Sequence, residues 1–349
     1  MEKSKRSPIW GAPSATLKEV DWAILHELAR DPLASSRSVA EAIGISLSQA
    51  QSRIRALDRR RISHVVAVLD TRVSGQSLAW VTVGVRGRSV EEVATELANI
   101  REVMMVSTLG SGAHDILLCV RFRNVEDLHS HLLVKVSGIV GIARQNISVV
   151  LNTPVFRPEY VTISREFLNT DVAAIAKDLE VDFGDGVLDE LDRNIVAELQ
   201  VNGRTSAKAI ADRYGISPGA VRYRIRALQN NGIMRFMTLF LPQELGINSF
   251  AFLEVSVVPS AIDRVIEELR KKPWLPQLFI CTGQATIKGV LFSESIEQIT
   301  RIRTEEIGQL DGVLQVEISP LLKAYKFETR WGQPFSKPLV ADPVGTISL

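Results

Sequence analysis

The chain has 349 residues, with 41 Lys and Arg against 40 Asp and Glu, two cysteines, and 46% hydrophobic residues. This length predicts two or more domains, and this hydrophobic content excludes a wholly disordered chain. The net charge of +1 excludes a uniformly basic nucleic-acid coat but leaves room for local basic patches. Two cysteines are too few for a disulfide framework and are typical of a reducing compartment.

The apolar stretches are all short. Even 78–85 falls far below the roughly 20 residues that a membrane helix needs. The basic N-terminal residues are not followed by the apolar region of a secretory signal. We therefore expect a cytoplasmic protein with no membrane partner.

Three short helices are predicted at the start of the chain, over 20–29, 36–43 and 46–60. Gly44 stands in the turn before the third helix, and Ser46 is placed to cap that helix. Three short helices with a glycine in the second turn are typical of a helix-turn-helix unit. The sequence thus predicts a DNA-binding domain over 17–64.

The hydrophobic period then changes from helical to alternating. Strands are predicted at 78–85, 103–109, 116–122 and 147–151, and helices at 90–100 and 125–137. The resulting order, βαββαβ, is that of a ferredoxin-like domain, which we place at 75–152. Two helices would cover one face of its antiparallel sheet and leave the other face free for pairing or ligands.

The segment 153–187 is predicted to be a linker. It contains Pro154 and Pro158, a modest helix around 171–179, and an acidic run rich in glycine after that helix. The same two-part pattern begins again behind it.

The second part of the chain repeats the first. Helices are predicted at 188–200, at 206–214, and from Pro218 onward, with Ser217 as the cap, which predicts a second helix-turn-helix domain over 188–235. A second ferredoxin-like domain is predicted over 246–323, with the elements 250–258, 262–271, 278–281, 287–292, 296–307 and 314–321. The predicted fold class is α+β, with two copies of a trihelical or winged helix-turn-helix domain, each followed by a βαββαβ domain.

A constant offset of 171 residues relates the two parts. It pairs Gly44-Ile45-Ser46 with Gly215-Ile216-Ser217, and Arg53 to Leu57 with Arg224 to Leu228. It also pairs Gly112 with Gly283, far downstream. An offset that holds over some 135 residues indicates a tandem duplication.

These motifs resemble those of the leucine-responsive regulatory protein/AsnC (Lrp/AsnC) family of transcription regulators. The resemblance covers about 17–160 and 188–331, named below the first and second copies. The residues that carry it are Leu191-Asp192, Ile195, Leu199, Ile210-Ala211, Gly215-Ile216-Ser217-Pro218, Val221, Arg224-Ile225, Leu228, Gly232-Ile233, Gly112, Asp115 and Ile116-Leu117-Leu118.

The resemblance implies a function. It implies a transcription regulator that binds double-stranded DNA through its helix-turn-helix units and pairs through its sheets into a homo-oligomer. It also implies a small-molecule effector, often an amino acid, near the loop between the second and third strands. The family's usual chain has one such unit, whereas this chain fuses two.

The third helix of each copy is the candidate DNA-binding element. Arginine on such a helix can pair bidentately with guanine or hold phosphate, and a capped helix N-terminus can point N–H groups at phosphate. A solvated basic helix face is the alternative, which the recurrence in both copies disfavours. The candidate residues are Ser46, Ser48, Gln49, Gln51, Ser52, Arg53, Arg55, Arg59, Ser217, Pro218, Gly219, Arg222, Tyr223, Arg224 and Arg226.

The glycine-rich loop between two strands of each copy is the candidate effector site. Glycine permits close approach of a ligand, and Asp115 could accept hydrogen bonds from an α-amino group. Turn geometry alone explains these residues equally well. Thr286 replaces Asp115 in the second copy, which predicts a different ligand or a vacant site there. The candidates are Leu109, Gly110, Ser111, Gly112, His114, Asp115, Gly283, Gln284 and Thr286.

An enzyme on the same scaffold is the rival hypothesis. Haem-biosynthesis (siroheme-type) decarboxylases resemble this fold, include two-unit fusions, and carry a His-Asn-Tyr-x-Arg type stretch. The matching positions here read Val-Ser-Thr-Leu-Gly at 106–110 and Gln-Leu-Phe-Ile-Cys at 277–281. With no phosphate loop, catalytic triad or metal-ligand spacing either, we expect a regulator that is not an enzyme and binds no cofactor or metal.

Overall fold

The computed structural model describes residues 17–60, 62–69, 77–110, 114–156, 188–240, 249–293 and 295–327. The first copy opens with α1 (Glu19–Arg30), α2 (Ser36–Ile43) and α3 (Leu47–Arg59). There follow β1 (Ser63–Leu69), β2 (Ser77–Val85), α4 (Val90–Ala98), β3 (Val103–Leu109), β4 (Ile116–Phe122), the helix α5 over 125–137 with a central π-helical turn, and β5 (Ile142–Phe156).

The second copy has the same order of elements. Its helix-turn-helix domain comprises α6 (Glu190–Val201), α7 (Ala207–Tyr214) and α8 (Pro218–Asn230). The remaining elements are β6 (Met234–Phe240), β7 (Ser249–Val257), α9 (Ile262–Arg270), β8 (Gln277–Cys281), β9 (Ile287–Ser293), the helix α10 over 296–307 and β10 (Val313–Phe327). The fold class is α+β, as predicted.

The helix boundaries follow from local chemistry. Gly44 and Gly215 end α2 and α7 in the left-handed conformation, with φ of 71° and 67°, which a residue with a side chain adopts only at a cost. Ser46 and Ser217 then accept a backbone N–H into their hydroxyls and start the third helices.

One pair of strands was not predicted. β1 and β6, which follow the two helix-turn-helix units, pair antiparallel from Ser63 opposite Phe240 to Leu69 opposite Met234. Both strands are largely buried and so lack the alternation of polar and apolar residues that marks a half-exposed strand. They join the DNA-binding domain of one copy to that of the other.

The two larger sheets close on each other. Among the described residues, eight strands form a barrel in the order β10-β3-β4-β2-β5-β8-β9-β7. The two seams between the copies are β3 with β10 and β5 with β8, and both are antiparallel. The face of each sheet that was expected to be free for pairing or ligands packs against the sheet of the other copy, whereas the strand order is that of one closed barrel and not of two separate ferredoxin-like sheets. The 15-residue strands β5 and β10 reach past their own sheets, and a closed barrel leaves no unpaired edge.

The barrel interior is filled by side chains from both copies. Trp80 of the first copy lies 5.1 Å from Phe252 and 5.3 Å from Phe279 of the second, measured between ring centroids. The two cysteines, Cys119 and Cys281, also lie buried in this cluster as free thiols. Burial raises the pKa of Cys281 to about 12 and that of Cys119 still further, so both thiols stay protonated at neutral pH.

Three further predictions from the sequence concern the linker, membrane helices and metal sites. Residues 153–156, assigned to the linker, belong to β5, and the remainder, 157–187 with its predicted helix, lies outside the described residues. None of the described helices is long and apolar enough to cross a membrane. The described part of the chain also contains no cluster of three or more His, Cys, Asp or Glu side chains suited to a metal.

We predict that the barrel interior dominates stability. Phe252 is 1% exposed, so Phe252→Ala should lower the free energy of unfolding by roughly 3–5 kcal/mol. Leu314→Ala, at a position 67% exposed on the outer surface, should change it by less than about 0.5 kcal/mol. Urea unfolding followed by circular dichroism would measure both. Equal effects would contradict a packed interface between the copies.

Candidate DNA interface and effector loops

The third helices turn similar faces to the solvent. Ala50 and Leu57 in α3, and Val221 and Leu228 in α8, are buried against the other two helices of their unit. The exposed side of α3 carries Ser48, Gln49, Ser52, Arg55 and Arg59, beside the half-buried Gln51, and that of α8 carries Gly219, Arg222, Tyr223 and Arg226. Tyr223 is 74% exposed. The structure thus brings most of the predicted DNA-binding residues onto one face of each helix.

Two of the predicted arginines have a different environment. Arg53 donates from Nη1 to both carboxylate oxygens of Asp21, at 3.0 and 2.9 Å. Arg224, its equivalent, donates to Asp189 at 2.6 Å and to Asp192 at 2.8 Å. In each copy this ion pair holds the third helix against the first helix. A sequence pattern that counts arginines on a helix cannot separate these from the outward ones.

The predicted residues at the helix starts have local partners. The Ser46 hydroxyl accepts from the N–H of Gln49 at 3.2 Å and lies 3.1 Å from the Ser48 hydroxyl. The Ser217 hydroxyl accepts from the N–H of Ala220 at 3.1 Å, and Pro218 occupies the first helical position. These residues fix where each third helix begins.

Direct contacts join the two helix-turn-helix domains beyond the β1–β6 pair. Arg204 of the second copy donates to the carbonyl oxygens of Pro32 at 2.8 Å and Ala34 at 3.2 Å in the first copy. Burial lowers the pKa of Arg204. The N–H of Gly203 donates to the Val65 carbonyl at 2.7 Å. The two helix-turn-helix domains, with their third helices, are therefore packed directly against each other.

Both candidate effector loops lie at the same end of the barrel. Each neighbouring pair of strands is antiparallel, and four steps around the barrel separate β4 from β9, so these strands run in the same direction. The loops that precede them therefore lie at the same end of the barrel, named here the loop end, on opposite sides of it. Gly110 donates to the Pro320 carbonyl at 2.8 Å, and Thr282 donates to that of Val149 at 2.9 Å. Each loop is thus held by the long strand of the other copy.

Asp115 and His114 occupy defined positions in the first loop. The N–H of Val85 donates to Asp115 Oδ2 at 2.7 Å, and the N–H of Asp115 donates to the Val83 carbonyl at 2.8 Å. One carboxylate oxygen therefore fixes the turn. Burial lowers the pKa of the half-buried His114, and the charge of Arg144 lowers it further.

The remaining predicted effector residues belong partly to the first loop and partly to the second. Ser111 and Gly112 lie outside the described residues. Leu109 donates its N–H to the Asp115 carbonyl at 2.8 Å, and the Thr286 carbonyl accepts from the N–H of Cys281, also at 2.8 Å. Gly283 and Gln284 are exposed. The second loop thus offers backbone and amide groups where the first has an imidazole and a carboxylate.

A largely buried ion pair next to the second loop was not predicted from the sequence. Lys288, 5% exposed, pairs with Glu254 inside the barrel, and its Nζ lies 5.7 Å from the Phe252 ring centroid. The equivalent cross-strand pair in the first copy is Thr82 with Leu117, so the charges come from one copy alone. Lys288 lies on the same face of β9 as Val290 and Phe292, because alternate residues of a strand share a face. It is therefore a charged residue on an otherwise apolar face.

Comparison with known proteins identifies the helix-turn-helix domain in both copies and the ligand binding domain in the first. The AsnC-type helix-turn-helix domain matches residues 17–58 and again 188–229, and the Lrp/AsnC ligand binding domain matches residues 78–160. The HTH-type transcriptional regulator LrpA of Pyrococcus horikoshii is 30% identical over 141 residues, which cover 40% of this chain and 100% of LrpA. An uncharacterized HTH-type transcriptional regulator of the same organism is 33% identical over 146 residues, which cover 42% of this chain and 90% of that protein.

The two helix-turn-helix domains and the ligand binding domain define a helix-turn-helix transcriptional regulator. The chain belongs to the Lrp/AsnC family, in a tandem-duplicated form. Its helix-turn-helix domains imply DNA binding, and its ligand binding domain implies a small-molecule effector.

A solved enzyme structure corrects one expectation. The siroheme decarboxylase NirDL matches 91% of this chain and 95% of its own with a TM-score of 0.63, and its complex with an iron-uroporphyrin III analogue matches with a TM-score of 0.62. The expectation that the chain is not an enzyme is therefore wrong as an inference from architecture, since an enzyme shares this fold. The identity of 17% shows the fold alone, and the decarboxylase alternative is not favoured.

The stabilisation from the ion pair between Arg224 and Asp189 should depend on pH. A hydrogen bond from the backbone of Asp192, followed by the Arg224 guanidinium, lowers the pKa of Asp189. A carboxylate whose pKa is lowered on folding stabilises the fold above its unfolded pKa of about 3.9, and that contribution is lost as the pH falls through the folded pKa. Asp189→Asn keeps a capping side chain and removes the charge.

We therefore expect Asp189→Asn to lower the thermal midpoint at pH 6, with the difference from wild type shrinking as the pH falls below about 4. Circular dichroism melts would measure this. Asp263→Asn, at an exposed position on α9, is the control and should shift the midpoint little at either pH. A deficit of Asp189→Asn that stays constant down to pH 3 would contradict the ion pair.

Proposed function

We propose that this chain is a sequence-specific transcriptional regulator that binds one operator with both of its helix-turn-helix domains. The observation that carries the proposal is the pair of third helices, each with exposed arginines, mounted on one body by β1, β6 and Arg204. Two linked sites bind a spaced target more tightly than either site alone. The chain thus does by covalent linkage what single-unit regulators do by dimerisation.

The charge on the two faces supports binding to a polyanion. From Ser217 to Arg235 the sequence has four arginines and no acidic residue. Between Ser46 and Ile62 it has five arginines and only Asp58. Arg55 and Arg226, exposed at equivalent positions, are the candidates for phosphate or base contacts in both copies, whereas Arg53 and Arg224 act as internal braces.

Charge-removing variants test this proposal. Arg222→Ala/Arg226→Ala and Arg55→Ala/Arg59→Ala should each weaken binding to the upstream intergenic DNA of the protein's own gene, because each arginine that contacts phosphate releases counterions. The affinity should fall roughly tenfold or more, and the slope of log affinity against log salt should decrease by about one for each lost phosphate contact. Gel shifts over a salt series would measure both quantities.

The matched control is Arg301→Ala/Arg303→Ala, which removes the same charge from exposed positions on α10. It should leave the affinity within about twofold of wild type. If all three double variants bind equally well, the third helices do not contact DNA and the proposal fails.

We propose further that an amino-acid effector binds at the loop end. The support is the position of both loops at one end of the barrel, with exposed backbone at Gly110 and Gly283, the imidazole of His114, and the pair of the buried Lys288 with the half-buried Glu254 next to the second loop. A cationic and an anionic side chain next to each other suit the two charges of a free amino acid. We also propose that whole chains associate into a homo-oligomer, with the exposed Leu151 and Leu322, which occupy equivalent positions in the two copies, as candidate contacts.

The effector proposal predicts ligand-induced stabilisation. In thermal-shift measurements with the free amino acids, at least one should raise the melting temperature, since a ligand at 100 times its Kd stabilises by about 2.7 kcal/mol. His114→Ala should abolish the shift, whereas His129→Ala, at an exposed site on α5, should retain it. If no amino acid raises the melting temperature, the proposed effector class is wrong.

A further inference from the structure

The two third helices differ at the positions that face outward. At equivalent places α3 has Gln49, Gln51 and Ser52 where α8 has Ala220, Arg222 and Tyr223. Gln49 and Ser52 are exposed and Gln51 is half-buried, while Arg222 and Tyr223 are exposed. Further along the same exposed faces, Arg55 and Arg226 are the same in both copies. The two third helices therefore carry different exposed side chains at equivalent positions.

Those side chains favour different bases. In the major groove, arginine pairs bidentately with O6 and N7 of guanine, whereas glutamine pairs bidentately with N6 and N7 of adenine. The residues near the N-terminus of a recognition helix make the base contacts. Gln51 and Arg222 both lie in the second turn. At the tip of α8, Pro218, Gly219 and Ala220 offer no side-chain hydrogen bond, which leaves Arg222 and Tyr223 to read bases.

The hydrogen bonds between the two helix-turn-helix domains are also asymmetric. Thr238 donates its hydroxyl to the Leu28 carbonyl, and Gly203 donates its N–H to the Val65 carbonyl, both from the second copy to the first. The equivalent residues in the first copy are Ala67, which has no hydroxyl, and Pro32, which has no N–H. Neither bond can therefore form in the opposite direction, so the contacts do not obey a two-fold symmetry.

We infer that the operator is not a palindrome: it combines an adenine-containing half-site read by Gln51 with a guanine-containing half-site read by Arg222. A homodimer of a single-unit regulator presents two identical helices and so favours two identical half-sites. This chain always supplies one helix of each kind. The inference rests on the proposed function and adds which residues specify which half-site.

Selection of bound sequences from a random DNA library, with the full chain, tests the inference. Wild type should select two different half-sites about one helical turn apart, roughly 10 base pairs. Gln51→Arg should change the adenine of one half-site to guanine and leave the other half-site unchanged. Arg222→Gln should make the reverse change in the other half-site only. Gln309→Arg, which adds the same charge at an exposed position outside both helix-turn-helix domains, should select the wild-type site.

Fluorescence anisotropy with symmetrised duplexes gives the matching affinities. Wild type should bind the mixed site roughly ten- to hundredfold more tightly than either symmetric site. Gln51→Arg should instead prefer the duplex with two guanine-containing half-sites. A palindromic wild-type site, or a base preference that stays unchanged in Gln51→Arg, would overturn the inference while leaving the regulator intact. No enriched sequence with any variant would overturn the proposed function itself.

Discussion

The pairing of sheet edges between the two copies is the constraint on which the rest of the structure depends. A four-stranded sheet covered by helices on one face would leave two open edges and one apolar face in water. The seams of β5 with β8 and of β10 with β3 remove all of these at once. Trp80, Phe252 and Phe279 then pack where the two faces meet.

Barrel closure decides how the functional parts are placed. It brings the two candidate effector loops to one end, each hydrogen-bonded to the long strand of the other copy. The β1–β6 pair, together with Arg204, joins the DNA-binding domains in the same intramolecular way. Residues that would be identical across a homodimer can differ here, as Lys288 and Glu254 do from Leu117 and Thr82, and as Arg222 does from Gln51.

The sequence predicts the local part of this structure well. The helices and most strands follow from hydrophobic period, and the caps at Ser46 and Ser217 follow from residue type and spacing. What it does not predict depends on distant partners: the ion pairs of Arg53 and Arg224, the buried Lys288, and the strands β1 and β6. Each of these is explained only by a residue more than 30 positions away or in the other copy, and a local pattern carries no information about such partners.

Affinity cleavage of DNA would test most directly that the two copies act as a fixed, non-equivalent pair on one operator. Ser52→Cys and Tyr223→Cys can be labelled selectively with an iron chelate, because Cys119 and Cys281 are buried and their pKa values are raised. The account predicts that each labelled variant cleaves at one half-site, and that the two variants cleave at different half-sites about one helical turn apart. If each variant cleaves at both half-sites, or if one of the two variants does not cleave at all, the account is contradicted.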